Sequence, residues 1–246
     1  MKKFMVYFLL FGGLVMLATL GFSRNVEALS PEEMLKNVHW LGKQASVKIK
    51  AGKKIVYIDP YQIVEKTNDA DIILVTHSHQ DHLSPGDIKK VTKADTVFIA
   101  PQSCVSSIET EFNTKVIVSE PGMSTSVDEI QIKAVPAYNV VKTNFHPKGN
   151  KWVGYVLTIG GVRIYHAGDT ERIPEMKEFT CDIVMLPLGQ TYTMNSVEEA
   201  AEAVLDVQAK IAIPIHYGMY EGTAEDAKKF QELLKDKVQV VIQTQP

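Results

Sequence analysis

The stretch Asp71–Pro85, DIILVTHSHQDHLSP, decides how this chain is read. Ile72 to Thr76 form a short run of apolar and β-branched residues with no polar interruption. Such a run is the signature of a strand covered on both faces. It leads straight into His77, His79, Asp81 and His82. Polar groups at the end of a buried strand are costly unless something pairs with them. The chain has 7 histidines, and three of them fall in this one window, which argues against an incidental polar loop. In an extended backbone alternate side chains point the same way, so one ion can take both His77 and His79. Asp81 and His82 follow in a turn and can face a second ion.

Other strand ends carry side chains of the same type. AVPAYN ends at Asn139 with His146 shortly after, YHAGDT supplies Asp169, and IPIHYG supplies His216. Imidazole and carboxylate donors without a thiolate suit a divalent ion, with two zinc ions favoured and manganese or iron open. An Asp169 shared between two ions would hold them within about 4 Å, close enough to polarise an oxygen and make hydroxide at neutral pH. The plain alternatives are a turn role for Asp169 and a core role for His216. His39 and His166 read as structural, and Ser78 as a small residue turned away from its neighbours.

Around these motifs the pattern alternates short strands with helices. VKIKAGKKIVYIDP is a hairpin turning at Ala51-Gly52, followed by the strands DIILVT, TVFIAP and KVIVSE. Residues 86–92 and QSCVSSIETE read as helices. EIQIKAVPAYN alternates, and KWVGYVLTIGGVRIYHAGD is two strands joined by Gly160-Gly161, a turn that needs positive φ. DIVMLPLG, KIAIPIHYG and VQVVIQ are further strands. NSVEEAAEAVLDVQ carries a capping box of Ser196 and Glu199, with Val197, Ala200, Ala201, Val204 and Leu205 on one stripe. Thr223–Leu234 is a second amphipathic helix. No linker divides residues 29–246, so they read as a single α/β domain with a sheet-on-sheet core and helices outside.

Residues 1–28 read differently. Lys2 and Lys3 precede the uncharged run Phe4–Phe22, and Val26 and Ala28 occupy the −3 and −1 positions of a cut after Ala28. This describes a signal peptide. At ~1.5 Å per residue the run would also span about 28 Å, so an uncleaved N-terminal membrane anchor is the rival reading. Either places the remainder in an exported location, periplasmic or extracellular, or on the outer face of the cytoplasmic membrane. A net charge of −3 with dispersed lysines argues against a nucleic-acid partner. Cys104 and Cys181 form no Cys-x-x-Cys pair; in an exported protein they could bond to each other, and the plainer reading is two buried thiols. Oligomeric state has no sequence signal.

His-x-His-x-Asp-His after an apolar strand, then Gly-Asp-Thr, then a strand-terminal His, resemble the metallo-β-lactamase superfamily from about residue 38 onward. WLGKQASVKI, IDPY, VPAYN, FHPKGNKWVGYVL, YHAGDT and IPIHYG are similar to its branch of metal-dependent hydrolases related to ascorbate-6-phosphate lactonase. The resemblance implies a four-layer αββα sandwich with metals at one edge. It implies His77 and His79 on a first metal, Asp81, His82 and His216 on a second, and Asp169 bridging. Asp81 and His82 would be catalytic, with Asp81 orienting a metal-bound hydroxide. Many members place a third first-metal histidine near position 139, where this chain has Asn139. Either His146 supplies that nitrogen or Asn139 coordinates through its oxygen. Alternatively, Asn139, Lys142, His146 and Lys148 bind an anionic group of a small-molecule substrate. The implied activity is metal-dependent hydrolysis of an ester, lactone or phosphodiester. β-Lactam cleavage and a non-catalytic, metal-stabilised envelope binding protein are the rivals. Di-iron oxygen-reducing relatives carry glutamate where this chain has His79, which favours hydrolysis.

Overall fold

The computed structural model describes residues 29–243. The export signal or anchor read in residues 1–28 lies outside them, and among the described residues no helix is long and apolar enough to cross a membrane. The described chain opens with helix α1 (Pro31–Leu35), followed by strands β1 (Val38–Trp40), β2 (Val47–Ala51), β3 (Lys54–Ile58) and β4 (Ala70–Leu74). Helix α2 (Pro85–Val91), strand β5 (Thr92–Pro101), helix α3 (Gln102–Phe112) and strand β6 (Val116–Ser119) complete the first half. The second half runs β7 (Ser124–Val127), β8 (Ile130–Pro136), β9 (Val153–Ile159), β10 (Val162–His166) and β11 (Ile183–Pro187). Helix α4 (Val197–Asp206), strand β12 (Ile211–Ile215), helix α5 (Ala224–Leu234) and strand β13 (Gln239–Val240) follow.

Two sheets result, in the orders β1-β2-β3-β4-β5-β6 and β13-β12-β11-β10-β9-β8-β7. Each is antiparallel at one end and parallel at the other, where α2, α3, α4 and α5 provide the crossovers β4–β5, β5–β6, β11–β12 and β12–β13. Alternation along β4 explains its unbroken apolar run. Ile72 and Leu74 enter the core that the two sheets share, while Ile73 packs with Ile88 of α2 and Cys104 and Ile108 of α3. Each fully buried aliphatic side chain contributes roughly 1.5–3 kcal/mol of transfer free energy, so both faces hold β4 in place. On the far side, α4 and α5 contact each other and pack on β11 and β13. The layers are therefore helix, sheet, sheet, helix, the αββα sandwich that the sequence implied.

Gly160 and Gly161 have φ of +56° and +84°, as the two-residue hairpin requires. Some details differ from the sequence reading. The final strand read over VQVVIQ is only Gln239–Val240, and β8 ends at Pro136 rather than at Asn139. Leu205 of α4 is 42% exposed, and Ala203 takes its place on the buried stripe. Ser196 does cap α4, accepting from the Glu199 N–H, but the Glu199 carboxylate instead accepts from the backbone N–H groups of Asn195 and Arg172. Cys104 and Cys181 are both free and buried, and burial pushes each thiol up to about 12.

Candidate metal centre

Apart from His146, which stands in the long loop between β8 and β9, the candidate ligands sit at or just beyond strand ends along one edge between the sheets. β4 runs out at Leu74, and Val75 and Thr76 carry the chain on to His77 and the turn holding His79, Asp81 and His82. β10 ends at His166, three residues before Asp169, and β12 ends immediately before His216. This edge is where parallel strands of α/β proteins deliver functional groups.

Asp169 is at the centre and almost fully buried. Its Oδ2 lies 3.2 Å from His216 Nε2, 3.3 Å from His82 Nε2, 3.4 Å from His146 Nε2 and 3.8 Å from His77 Nε2. Two groups of donors flank it. His77, His79 and His146 form one, with His77 Nε2 and His79 Nδ1 3.1 Å apart. Asp81, His82 and His216 form the other. Two ligands about 2.1 Å from a shared ion are roughly 3.0–3.4 Å apart. The His82, His146 and His216 distances to Asp169 and the His77–His79 distance fall in that range, while Asp81 stands 3.8 Å from His82 and 3.9 Å from His216. The His82 Nε2, His146 Nε2 and Asp169 Oδ1 atoms are buried without hydrogen-bond partners. Polar atoms in that condition call for a ligand, and this donor set fits divalent ions.

The electrostatics show the same need. Burial and the neighbouring His82 charge hold His77 well below the ordinary imidazole range. Burial works against a charge on His82 too, yet Asp169 and Asp59 outweigh it and hold it well above that range. His216 is raised to about 10, because Asp169 and Glu221 overcome its burial. Asp169 itself is held well below the carboxylate range, since His216 and His82 overcome its desolvation. The cluster is built around ionised carboxylate and wants positive charge.

A second layer of side chains orients the imidazoles. Asp59 Oδ2 lies 2.7 Å from His82 Nδ1, and Asp59 also accepts from the Thr76 N–H at 2.8 Å and the Thr76 hydroxyl at 2.6 Å. Glu221 Oε1 lies 2.9 Å from His216 Nδ1. Carboxylates in this position fix the tautomer and leave Nε2 free to coordinate. The Trp152 ring backs His77 and His79 at 4.9 Å and His146 at 5.6 Å. His166 has a structural role, as expected. Its Nε2 donates to the Ala45 carbonyl and its Nδ1 accepts from the Gly168 N–H, tying the Asp169 loop to the other sheet. His39 is exposed on β1.

Between Asn139 and Lys148, His146 joins the cluster. The Asn139 side chain is held within the loop by its amide nitrogen, while its Oδ1 is buried without a hydrogen-bond partner. Its Nδ2 donates to the Lys142 and Tyr192 carbonyls, and its backbone N–H to the His146 carbonyl. Buried Glu171 accepts the backbone N–H groups of Val140, Val141 and Lys142, fixing the same loop. Lys142 Nζ donates to the Gln190 and Met194 carbonyls, and Lys148 Nζ pairs with Glu175 at 2.8 Å. The cleft over the cluster, about 520 Å³, is lined by Gln44, His79, Asp81, Phe145, His146, Asp169, Tyr192, His216, Met219 and Tyr220. Asn139, Lys142 and Lys148 do not line it, and the side-chain nitrogen of each is engaged in loop contacts.

Comparison with known proteins agrees with this geometry. A family model described as "Beta-lactamase superfamily domain" matches residues 37–216. A UPF0173 metal-dependent hydrolase of Pyrococcus furiosus is 35% identical over 205 residues, covering 78% of this chain and 89% of the relative. The chain belongs to the beta-lactamase superfamily, among its metal-dependent hydrolases. The crystal structure of a proposed metal-dependent hydrolase from Parabacteroides distasonis superposes on this superfamily member with a TM-score of 0.71 and 35% identity. It covers 84% of this chain and 91% of the neighbour. Igni18, a metallo hydrolase from Ignicoccus hospitalis, shares the fold with a TM-score of 0.68 at 20% identity, over 84% and 94% of the two chains.

Asp59, Glu221 and Trp152 were not singled out as site residues in the sequence. Asp59 had a signal, since a carboxylate closing an apolar strand before Pro60 resembles the other strand ends. Glu221 had none, because its partner His216 is reached only through the fold of the loop.

Proposed function

We propose that this hydrolase cleaves a neutral ester or lactone bearing an apolar substituent. His77, His79 and His146 hold one ion, Asp81, His82 and His216 a second, and Asp169 lies between them. The observation that carries the substrate reading is the cleft wall. Its lining combines ligand-type side chains with Phe145, Tyr192, Met219 and Tyr220, and it contains no lysine or arginine. Sites built for phosphorylated substrates supplement their metals with such cations. An aromatic and thioether wall instead suits an apolar group.

Bound divalent ions would supply a hydroxide nucleophile at neutral pH and polarise the oxygen under attack. The chain's own residues do the rest. Asp81 is partly exposed on the cleft, where it can orient water and hold a proton. Phe145 and Tyr192 meet edge to face at 5.0 Å and present a preformed surface to the substituent. The export reading of residues 1–28 belongs to the same proposal and puts the substrate outside the cytoplasmic membrane.

The test is a panel of neutral lactones and aryl esters of graded chain length, phosphodiesters and β-lactams, assayed with zinc-loaded protein. The expected result is the highest kcat/KM on neutral substrates with longer apolar groups, and a raised KM with kcat largely kept in Tyr192→Ala. Faster turnover of phosphodiesters than of every neutral ester would overturn the substrate reading.

A further inference from the structure

Gln44 lies on the loop between β1 and β2, is fully buried, and has a backbone φ of +45°. Its carbonyl accepts the His216 backbone N–H at 2.9 Å and the Trp40 indole N–H at 2.8 Å, so the backbone is fixed against the second sheet. Its side-chain Nε2 stands 3.0 Å from Asp81 Oδ2 and 3.0 Å from His216 Nε2. Its Oε1 is buried with no hydrogen-bond partner. A carboxamide is held at the meeting point of two ligand-type atoms while its acceptor atom goes unused.

We propose that Gln44 is a further ligand of the second metal ion, through its side-chain oxygen. The inference rests on the two-ion reading above and goes beyond it by adding a donor from a third segment. The argument is one of charge and spacing. As placed, the amide nitrogen donates to Asp81 Oδ2 and stands against His216 Nε2, the two atoms whose lone pairs would go to a metal. An N–H donor and a cation cannot share those lone pairs. A half-turn about the last side-chain bond exchanges Oε1 and Nε2 with almost no change of shape. The oxygen then occupies the position 3.0 Å from both partners, the separation of neighbouring ligands about 2.1 Å from one ion in five- or six-fold coordination. Without the ion the same amide donates to Asp81 and satisfies a carboxylate that would otherwise lack a partner there. Gln44 thus serves the site in both states, donating when the ion is absent and accepting when it is bound.

Metal binding by the full-length protein provides the test, independent of turnover. Chelator-stripped wild type, Gln44→Ala, Gln44→Met and Gln44→Glu are titrated with Zn²⁺ by calorimetry, and with Co²⁺ followed by visible absorption. Wild type should bind two ions. Gln44→Met keeps the volume and removes the oxygen, so it should lose about 10-fold or more in affinity for one ion while the other is unchanged. Gln44→Glu should restore or tighten that site, and the cobalt spectrum of the weakened site should change with the lost ligand. The unchanged ion and the circular dichroism spectrum report that each variant is folded. Two ions bound at wild-type affinity by both Gln44→Ala and Gln44→Met would overturn the role of Gln44 alone. A wild type that binds fewer than two ions would overturn the two-ion reading and this inference with it.

Discussion

At the scale of single residues, the site depends on carboxylates that never reach the cleft. Asp59 accepts three hydrogen bonds, one at Oδ1 and two at Oδ2, and both oxygens face donors. Asp59→Asn would turn an NH₂ group against one of those donors, so the side chain could not keep all three. His82 would lose its orientation, and the buried mismatch would cost about 1–3 kcal/mol of stability. We expect zinc affinity at the second site to fall ~10- to 100-fold, measured by competition with a chelating dye. Unchanged affinity would show that His82 is oriented without Asp59. The ligands themselves were legible because strand, spacing and residue type coincided between Thr76 and His82. Asp59 was not, since a single Asp before Pro reads equally well as a turn. His146 stood midway. The sequence showed a histidine near an unexpected Asn139, but only the loop tethered by Glu171 decides which of the two meets the cluster.

At the scale of elements, the buried strands were legible because their apolar runs are long and β-branched, and the helices α4 and α5 because their stripes have helical period. The elements that escaped are short or polar. Ser124–Val127 has no apolar alternation and becomes β7 only by pairing with β8. Val38–Trp40 is three residues held by β2. Packing between elements yields its own prediction. A Cβ on Gly154 of β9 would lie 2.7 Å and 2.8 Å from the carbonyl oxygens of His166 and Ala167, on the segment that delivers Asp169. Gly154→Ala must push that segment away, with an expected loss of about 1–3 kcal/mol in urea unfolding and weaker zinc binding. Gly86 in α2 has nothing within 4 Å, so Gly86→Ala should leave zinc binding unchanged and gain up to about 1 kcal/mol. A third case concerns the opposite end of β10. Burial disfavours the Asp182 carboxylate, but the Arg163 backbone N–H and the Lys210 ammonium outweigh it and hold its pKa below the ordinary value. A depressed folded pKa adds stability above the unfolded value near 4 and loses it as pH falls through the folded value. The Tm difference between wild type and Asp182→Asn should therefore be constant above about pH 5 and narrow as pH falls below the unfolded value near 4 towards the folded one. A gap that did not narrow at all over that acid range would refute the ion-pair account.

At the scale of the whole molecule, the metal centre joins the two halves of the fold. The first sheet and its loops supply Gln44, Asp59, His77, His79, Asp81 and His82, while the second supplies His146, Asp169, His216 and Glu221. Across the seam, direct links include the His216 N–H to the Gln44 carbonyl and the His166 imidazole to the Ala45 carbonyl. Ions held by both halves would stabilise the native state and would have no equivalent site in the unfolded chain, apart from weak binding by the local His77–His82 cluster. An ion at 100 times its Kd then adds about 2.7 kcal/mol. For a chain of this length each kcal/mol moves Tm by roughly 2–4 °C, so chelation should lower Tm by about 5–10 °C per site and added zinc should restore it. Magnesium, which prefers oxygen donors in octahedral geometry, should not substitute. His79→Ala should halve the response rather than abolish it, because His79 belongs to only one of the two ligand groups. Asp169→Ala should remove nearly all of it, because that carboxylate stands within 4 Å of imidazoles from both groups. Equal losses in the two variants would mean that the ions bind as one inseparable unit, and a Tm indifferent to zinc in the wild type would mean that the seam is held by side chains alone.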